Sequence, residues 1–152
     1  MSTAGRTRTT IDRVTHTITF QRALPAPREH VFDAWTQPAQ LIEWWDPTGA
    51  RLSECTVDLR PGGAFNFVNG SSHAPPFAGV YRVVDRPAEL VFEAMGAVGS
   101  VRLAADGGST RMTVTIRCAS AEHLEQFVKL GVHEGTGRTL DNLVAHVAKR
   151  AA

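Results

Sequence analysis

The sequence predicts an α+β fold in which an antiparallel sheet of seven strands is covered by a long C-terminal helix. Between residues 14 and 118, apolar and polar residues mostly alternate, which is the pattern of half-buried strands. After Ser120 the alternation stops, and apolar residues recur at helical spacing. Strands joined by tight turns pair antiparallel, and the apolar face of their sheet needs a cover. The C-terminal segment can supply that cover.

One strand and two short helices are predicted before residue 50. The alternation from Val14 to Arg22 indicates the strand, and the prolines that follow end it. Pro27 suits the first turn of a helix because its missing N–H would have no partner there. Pro38 begins a second helix. The apolar residues of the two helices are Val31, Phe32, Trp35, Leu41, Ile42, Trp44 and Trp45.

Six further strands are predicted from Arg51 to Cys118, separated by turn sequences. Arg60-Pro61-Gly62-Gly63 combines a proline that fixes φ with glycines that accept positive φ. Asp106-Gly107-Gly108 is a strong hairpin signal, and a loop is expected over residues 70–76. The predicted strands are residues 51–59, 64–69, 77–85, 89–95, 98–105 and 111–118.

The covering helix is predicted to be interrupted near three glycines. Ser120 is a candidate N-cap, with Glu122 in the first turn. The apolar stripe over residues 124–128 does not continue into the apolar residues from Leu140 onward. Each glycine inside a helix costs about 1 kcal/mol relative to alanine. A bend or two helical pieces are therefore expected at Gly131, Gly135 and Gly137.

The composition is that of an ordinary globular domain. Of 152 residues, 43% are hydrophobic and 20% are charged, which excludes a wholly disordered chain. A chain of this length can form a stable hydrophobic core without disulfides or a structural metal. The formal net charge of +1 gives no overall attraction to nucleic acid or to an anionic membrane. We expect a flexible polar tail over residues 1–12 and a single domain over residues 13–150.

The chain carries no sequence signal for a membrane or for secretion. No apolar run approaches the length of a membrane span, and the polar N-terminus lacks the apolar segment of a signal peptide. A cytoplasmic protein is therefore the expectation.

Cys55 and Cys118 lie in alternating apolar segments and are expected to be buried free thiols. Two cysteines alone cannot form a structural zinc site.

Several motifs, taken in this order, resemble a known family. They are Ala26 to Thr36 with Pro38 through Trp44-Trp45, Val57 to Gly63, Gly79-Val80-Tyr81, and His133-Glu134-Gly135 before Leu140 and Leu143. Together they resemble the activator of heat-shock-protein-90 ATPase homologue-like proteins, within the START-like (SRPBCC) superfamily, over about residues 16–148. The resemblance implies a helix-grip fold, also called birch-pollen-allergen-like, in which a curved antiparallel sheet and the C-terminal helix enclose an apolar cavity.

Two departures from the family pattern concern that cavity. The family usually has a tryptophan after the His-Glu-Gly run, where this chain has Thr136. The resemblance then implies either a wider cavity at this point or another side chain that fills it. The segment from Met95 to Ser100 is shorter than is usual in the family, which implies a more open cavity edge.

The cavity is the candidate functional site. Trp44 and Trp45 are adjacent on a short helix and diverge by about 100°, so they cannot both point inward. One should close the cavity and the other should be partly exposed. Most aromatic residues are expected to be core, with a subset at the cavity. The candidate lining residues are Trp35, Trp44, Trp45, Phe65, Phe67, Tyr81, Phe92, Met112, Val114, His133, Thr136 and Leu140.

His133 is the one histidine of six that we expect to face the cavity. Imidazole titrates near neutrality and can act as a general acid or base, but a single pocket histidine is more often a hydrogen-bonded wall residue. The sequence has no His-Glu-x-x-His spacing, nucleophile elbow or phosphate-binding loop. We expect no metal and no cofactor. Arg60 and Arg82 could anchor an anionic ligand, although surface positions are expected for both.

Three functions remain open on these grounds. The leading hypothesis is binding of an apolar or amphipathic small molecule in the cavity. The alternative is an enzyme of the cyclase or dehydratase kind, which relatives of the fold include, using His133 with Glu134 or Tyr81. The third is a chaperone-associated module, as the family name suggests. A homodimer through an exposed tryptophan or a sheet edge also stays open, and no nucleic-acid partner is expected.

Overall fold

A computed structural model describes residues 7–70 and 75–151 of the chain. Residues 1–6 of the predicted tail and residues 71–74 of the predicted loop lie outside the described residues. One antiparallel sheet has the spatial order β1-β2-β8-β7-β6-β5-β4-β3. Its strands are β1 (Arg8–Asp12), β2 (Thr17–Leu24), β3 (Leu52–Val57), β4 (Ala64–Asn69), β5 (Phe77–Asp85), β6 (Glu89–Ala94), β7 (Ala97–Asp106) and β8 (Ser109–Arg117). The helices are α1 (Arg28–Thr36), α2 (Pro38–Trp44), α3 (Ala121–Lys129) and α4 (Val132–Ala151).

The predicted α+β helix-grip architecture is confirmed, with eight strands rather than seven. The additional strand is β1, which lies within the predicted tail and pairs with β2 from Arg8 opposite Gln21 to Asp12 opposite Thr17. Its side chains are mostly polar and exposed, so no apolar alternation marks it. Backbone pairing at the free edge of β2 forms this strand, and that pairing leaves no trace in the side-chain pattern.

A tight turn explains why β2 begins at Thr17 and not at Val14. The Asp12 carboxylate accepts hydrogen bonds from the backbone N–H groups of Val14 at 2.8 Å and Thr15 at 3.2 Å. These two donors favour the charged carboxylate and lower the pKa of Asp12. Val14 is 88% exposed at the tip of this turn.

The core lies between the concave face of the sheet and the helices. Ile18 and Phe20 of β2 are fully buried, as are Val31 of α1 and Leu140 of α4. Burying each such side chain contributes about 1.5–3 kcal/mol. One buried hydrogen bond links β8 to the residues before α1: the Thr110 hydroxyl donates to the Ala26 carbonyl at 2.7 Å.

The predicted interruption of the C-terminal helix is a break between α3 and α4. Ser120 caps α3 as expected, its hydroxyl accepting from the His123 N–H at 3.1 Å. Gly131 has φ +75°, which ends α3 and allows α4 to start at Val132. Gly135 and Gly137 lie inside α4. The chain therefore forms two helical pieces.

The turn sequence around Pro61 is tied to strand β5. Gly62 donates its N–H to the Tyr81 carbonyl at 2.7 Å, and the Tyr81 N–H donates to the Gly63 carbonyl at 2.9 Å. A Cβ on Gly63 would lie 2.0 Å from the backbone carbonyl oxygen of Asp58, so no larger residue fits without backbone movement. Two of the motifs that suggested the family, Val57 to Gly63 and Gly79-Val80-Tyr81, are therefore joined by backbone hydrogen bonds.

Cys55 and Cys118 are free thiols; Cys118 is buried and Cys55 is half-buried. Burial raises the pKa of both thiols, that of Cys55 to about 11.

Among the described residues, no helix has both the length and the hydropathy needed to cross a membrane.

Helix α4 is fixed on one side by hydrogen bonds to α2 and the segment that follows it. Thr139 donates to the Trp45 carbonyl at 3.1 Å, and the Asn142 amide donates to the Asp46 carbonyl at 3.0 Å. The buried His146 ring lies 2.9 Å from the Gln40 side-chain oxygen. Burial lowers the pKa of His146, and nearby Glu43 partly offsets this.

We predict that His146 makes the fold less stable in acid. The unfolded chain takes up this proton near the ordinary value of 6.5, whereas the folded chain takes it up only at lower pH. Stability should therefore fall as pH decreases below about 6.5. Urea unfolding between pH 8 and pH 5 should show a weaker pH dependence for His146→Gln than for the wild type. His30→Gln, at an exposed position of α1, is the matched control. An unchanged pH dependence in His146→Gln would contradict this assignment.

Candidate functional site

A cavity of about 390 Å³ lies between the concave face of the sheet and the first two turns of α4. One side of its wall is aromatic, with rings from α1, the end of α2, β5, β6 and α3. The other side is formed mainly by small and aliphatic residues of β7, β8 and α4. The aromatic residues are Trp35, Trp45, Phe77, Phe92 and Phe127. The remaining wall includes Ala94, Met95, Ala97, Gly99, Val114, Ile116, Val132, Gly135, Thr136, Thr139 and Leu140.

The two adjacent tryptophans diverge, as predicted, but with different roles from those expected. Trp44 is buried in the core, and its indole N–H donates to the Ala34 carbonyl at 3.0 Å. Trp45 is half-buried and lines the cavity. Its ring meets Phe67 edge-on at 5.0 Å between centroids and packs on Phe77 at 5.1 Å. The partly exposed ring is therefore the one at the cavity.

An aromatic layer lies beneath the cavity and is almost completely filled. Phe65 packs against Tyr81 at 5.0 Å and Phe67 at 5.2 Å, and the free space left beside these rings is only about 10 Å³. Gly79 is required here, because a Cβ would lie 1.9 Å from the backbone carbonyl oxygen of Glu93 and 2.8 Å from the Phe65 ring. Burial raises the pKa of Tyr81, so its hydroxyl stays protonated at neutral pH.

The structure brings half of the twelve predicted lining residues to the cavity wall. Phe65, Phe67 and Tyr81 belong to the aromatic layer beneath it. Trp44 and Met112 are buried in the core and do not line the cavity. The six predicted residues at the wall are Trp35, Trp45, Phe92, Val114, Thr136 and Leu140.

His133 does not face the cavity, contrary to expectation. It lies in a shallow pocket between α4 and β1, beside Thr9, Glu134 and Asp141. At 100° per residue, the centre of the cavity-facing stripe at the start of α4 lies about 110° around the helix from His133; that stripe is formed by Val132, Gly135, Thr136 and Thr139. An acid–base role for His133 in the cavity has no support in this arrangement.

Several wall residues were not predicted from the sequence. Val132 and Thr139 lie within about 60° of Thr136 around α4, so helical spacing from Thr136 could have identified them. Phe77 lies four residues before Tyr81 in β5, so strand alternation places both side chains on the same face of the sheet. Gly99 had no sequence signal. Its role comes from the pairing of β6 with β7, which places it opposite Phe92.

His123 fixes one edge of the cavity. Its Nδ1 accepts from the Ala119 N–H at 3.0 Å, so the ring proton lies on Nε2, which donates to the Met95 carbonyl at 3.1 Å. Met95 and Gly96 form the tight turn between β6 and β7, both with positive φ. The ring also meets Phe127 edge-on at 4.5 Å. The cavity edge from Met95 to Ala97 is thus tied to the start of α3.

The described part of the cavity wall offers no charge to a ligand. Within residues 7–70 and 75–151, none of the wall side chains is ionisable, and its polar side chains are neutral amides, hydroxyls and indoles. The described residues also contain no group of three or more His, Cys, Asp or Glu that could hold a metal ion. Arg60 and Arg82 are exposed and pair with Asp58 and Glu93. The site is therefore suited to apolar contact and neutral hydrogen bonds.

Comparison with known proteins gives a family and a set of similar structures. The profile of the family described as "Activator of Hsp90 ATPase homolog 1-like protein" matches residues 25–148. A search of the curated proteins finds no match.

The solved structures support the same architecture. A protein from Nitrosomonas europaea is 24% identical, with a TM-score of 0.81 over 89% of this chain and 96% of its own. One from Rhodobacter sphaeroides is 19% identical, with a TM-score of 0.83 over 94% and 98%. An AHSA1-like protein from Aeromonas hydrophila is 23% identical, with a TM-score of 0.73 over 89% and 94%. At these identities the likeness establishes the fold alone.

We predict that Gly99→Ala displaces Phe92 and destabilises the fold. A Cβ at this position would lie 2.5 Å from the Phe92 ring, and overpacking of this kind costs about 1–3 kcal/mol. Gly108→Ala, where a Cβ meets nothing within 4 Å, should change stability by less than about 0.5 kcal/mol. Urea unfolding measures both variants, and a crystal structure of Gly99→Ala should show the ring moved. Equal stability of the two variants would refute the close contact.

Proposed function

The chain belongs to the family of activator of Hsp90 ATPase homolog 1-like proteins, and on this premise we propose that it binds an apolar or amphipathic small molecule in the cavity. Members of this helix-grip family generally bind ligands in a cavity. The family resemblance noted in the sequence is confirmed by the match over residues 25–148. The ligand itself is inferred from the chemistry of the wall.

The observation that carries the proposal is the size and composition of the cavity. Protein interiors are normally close-packed, with few voids larger than a water molecule. A space of about 390 Å³ lies within the range of small-molecule sites. Its wall is mainly aromatic and aliphatic, so an apolar ligand would remove that surface from water at about 25 cal/mol per Å².

The absence of ionisable side chains from the described part of the wall limits the charge of the ligand. A charged group moved into such a space loses its hydration without gaining a counter-charge. A fully buried anion or cation is therefore disfavoured. An uncharged ligand fits, and so does an amphipathic one whose charged end stays in water.

The other two hypotheses have less support from the site. The cyclase or dehydratase hypothesis relied on His133, which lies against β1 and not at the cavity. The chaperone hypothesis relies on the family description, and no surface among the described residues specifically favours a chaperone partner.

We predict that the wild-type protein binds the uncharged naphthalene dye prodan with micromolar affinity and a blue-shifted emission. The anionic dye anilinonaphthalene sulfonate should bind more weakly, because its sulfonate finds no counter-charge among the described wall residues. Fluorescence titration measures both dyes. Failure of the wild type to bind prodan, or tighter binding of the anionic dye, would count against the proposal.

Thr136→Trp tests whether the dye occupies the cavity. The larger side chain projects from the cavity face of α4 and fills part of the space, so prodan affinity should fall about tenfold, or about 1.4 kcal/mol. Ala148→Trp introduces the same side chain at an exposed position of the same helix and should leave the affinity unchanged. Equal affinities of the two variants would place the dye elsewhere.

A further inference from the structure

We propose that the indole N–H of Trp35 donates a hydrogen bond to a neutral oxygen acceptor of the bound ligand. The inference rests on the proposed function and specifies the chemical class of its ligand. That ligand would be an uncharged compound with a carbonyl group, such as a ketone or an ester, attached to an apolar body. It would be neither a pure hydrocarbon nor a molecule that buries a carboxylate.

The starting observation is a buried donor without a partner. Trp35 is 5% exposed, and its Nε1 has no hydrogen-bond acceptor among the described residues. Trp44, a neighbouring tryptophan that is also buried, donates its indole N–H to the Ala34 carbonyl at 3.0 Å. A buried donor left unpaired costs about 1–3 kcal/mol, so such groups are uncommon in native proteins.

The rings around Trp35 cannot replace an oxygen acceptor. Trp44 and Trp45 meet it edge-on, with centroids at 5.0 Å and 6.1 Å and planes at 77°. An aromatic face accepts an N–H only weakly. The packing that holds the Trp35 ring in place therefore does not satisfy its donor.

Trp35 borders two spaces, and only one can receive a ligand. The space beside the aromatic layer has about 10 Å³, which is at the lower limit for one water molecule. The cavity, with about 390 Å³, also has Trp35 in its wall. A ligand acceptor must therefore approach from the cavity.

The wall also determines that the acceptor is neutral. A carboxylate would be a stronger acceptor, but it would bring a charge into a space whose described wall has no basic side chain. A carbonyl oxygen accepts the same hydrogen bond without that cost. One net hydrogen bond of this kind changes affinity by about three- to tenfold.

A matched pair of probes tests the inference. 2-Acetylnaphthalene carries a carbonyl, and 2-isopropenylnaphthalene has nearly the same shape with a CH₂ group in place of the oxygen. The wild type should bind the ketone about three- to tenfold more tightly than the alkene, after correction for their transfer from water to hydrocarbon. Trp35→Phe should abolish this preference, and Trp44→Phe should retain it, because the Trp44 donor serves the Ala34 carbonyl.

Nuclear magnetic resonance tests the inference on the wild-type protein, so this test does not require that a variant folds. The wild-type chain has three tryptophans, so nitrogen-15 labelling gives three indole N–H signals. The ketone should move the Trp35 signal downfield, whereas the alkene should not. Equal affinities for the two probes, or equal shifts of that signal, would overturn the inference and leave the proposed function intact. No binding of either probe would overturn both.

Discussion

The cavity depends on one constraint, which is that packing and hydrogen bonds with the described residues hold α4 in place from Thr139 onward but not over the turns before it. Leu140, Leu143 and Val147 are buried between the helix and the sheet. Hydrogen bonds from Thr139, Asn142 and His146 fix the same region to α2 and the residues after it. On the opposite side, Arg22 of β2 pairs with Asp141 at 2.9 Å, its side chain only 7% exposed.

The first turns of α4 make no comparable contacts with the described residues, because small residues occupy positions that face the sheet across the cavity. Gly135 and Thr136 line the cavity, and a Cβ on Gly135 would meet nothing within 4 Å. Gly131 separates this end of α4 from α3. The resemblance left two possibilities at Thr136, a wider cavity or another side chain that fills it. The open space beside Thr136 supports the first.

Much of the fold could be predicted because burial on one face leaves a readable pattern. The alternation in β8 and the proline at the start of α2 both mark elements that the structure contains. Strand β1 could not be found in this way, since its polar side chains carry no signal of the backbone pairing that forms it. The Ser120 cap was predictable because the hydroxyl acts within a few residues of its own position.

The site was less predictable, because its residues depend on registers between elements. Val132 lies at the cavity and His133 does not, because the rotation of α4 about its own axis relative to the sheet decides which face meets the cavity, and no local signal determines that rotation. The partnership of Gly99 with Phe92 requires the alignment of two strands. The unpaired indole N–H of Trp35 depends on the positions of the Trp44 and Trp45 rings that pack against it. Such features arise only when separate elements meet, and here they define a neutral, ring-lined space with one unsatisfied donor. Because the described wall lacks charge, shape and this donor are the features by which it could distinguish one apolar ligand from another.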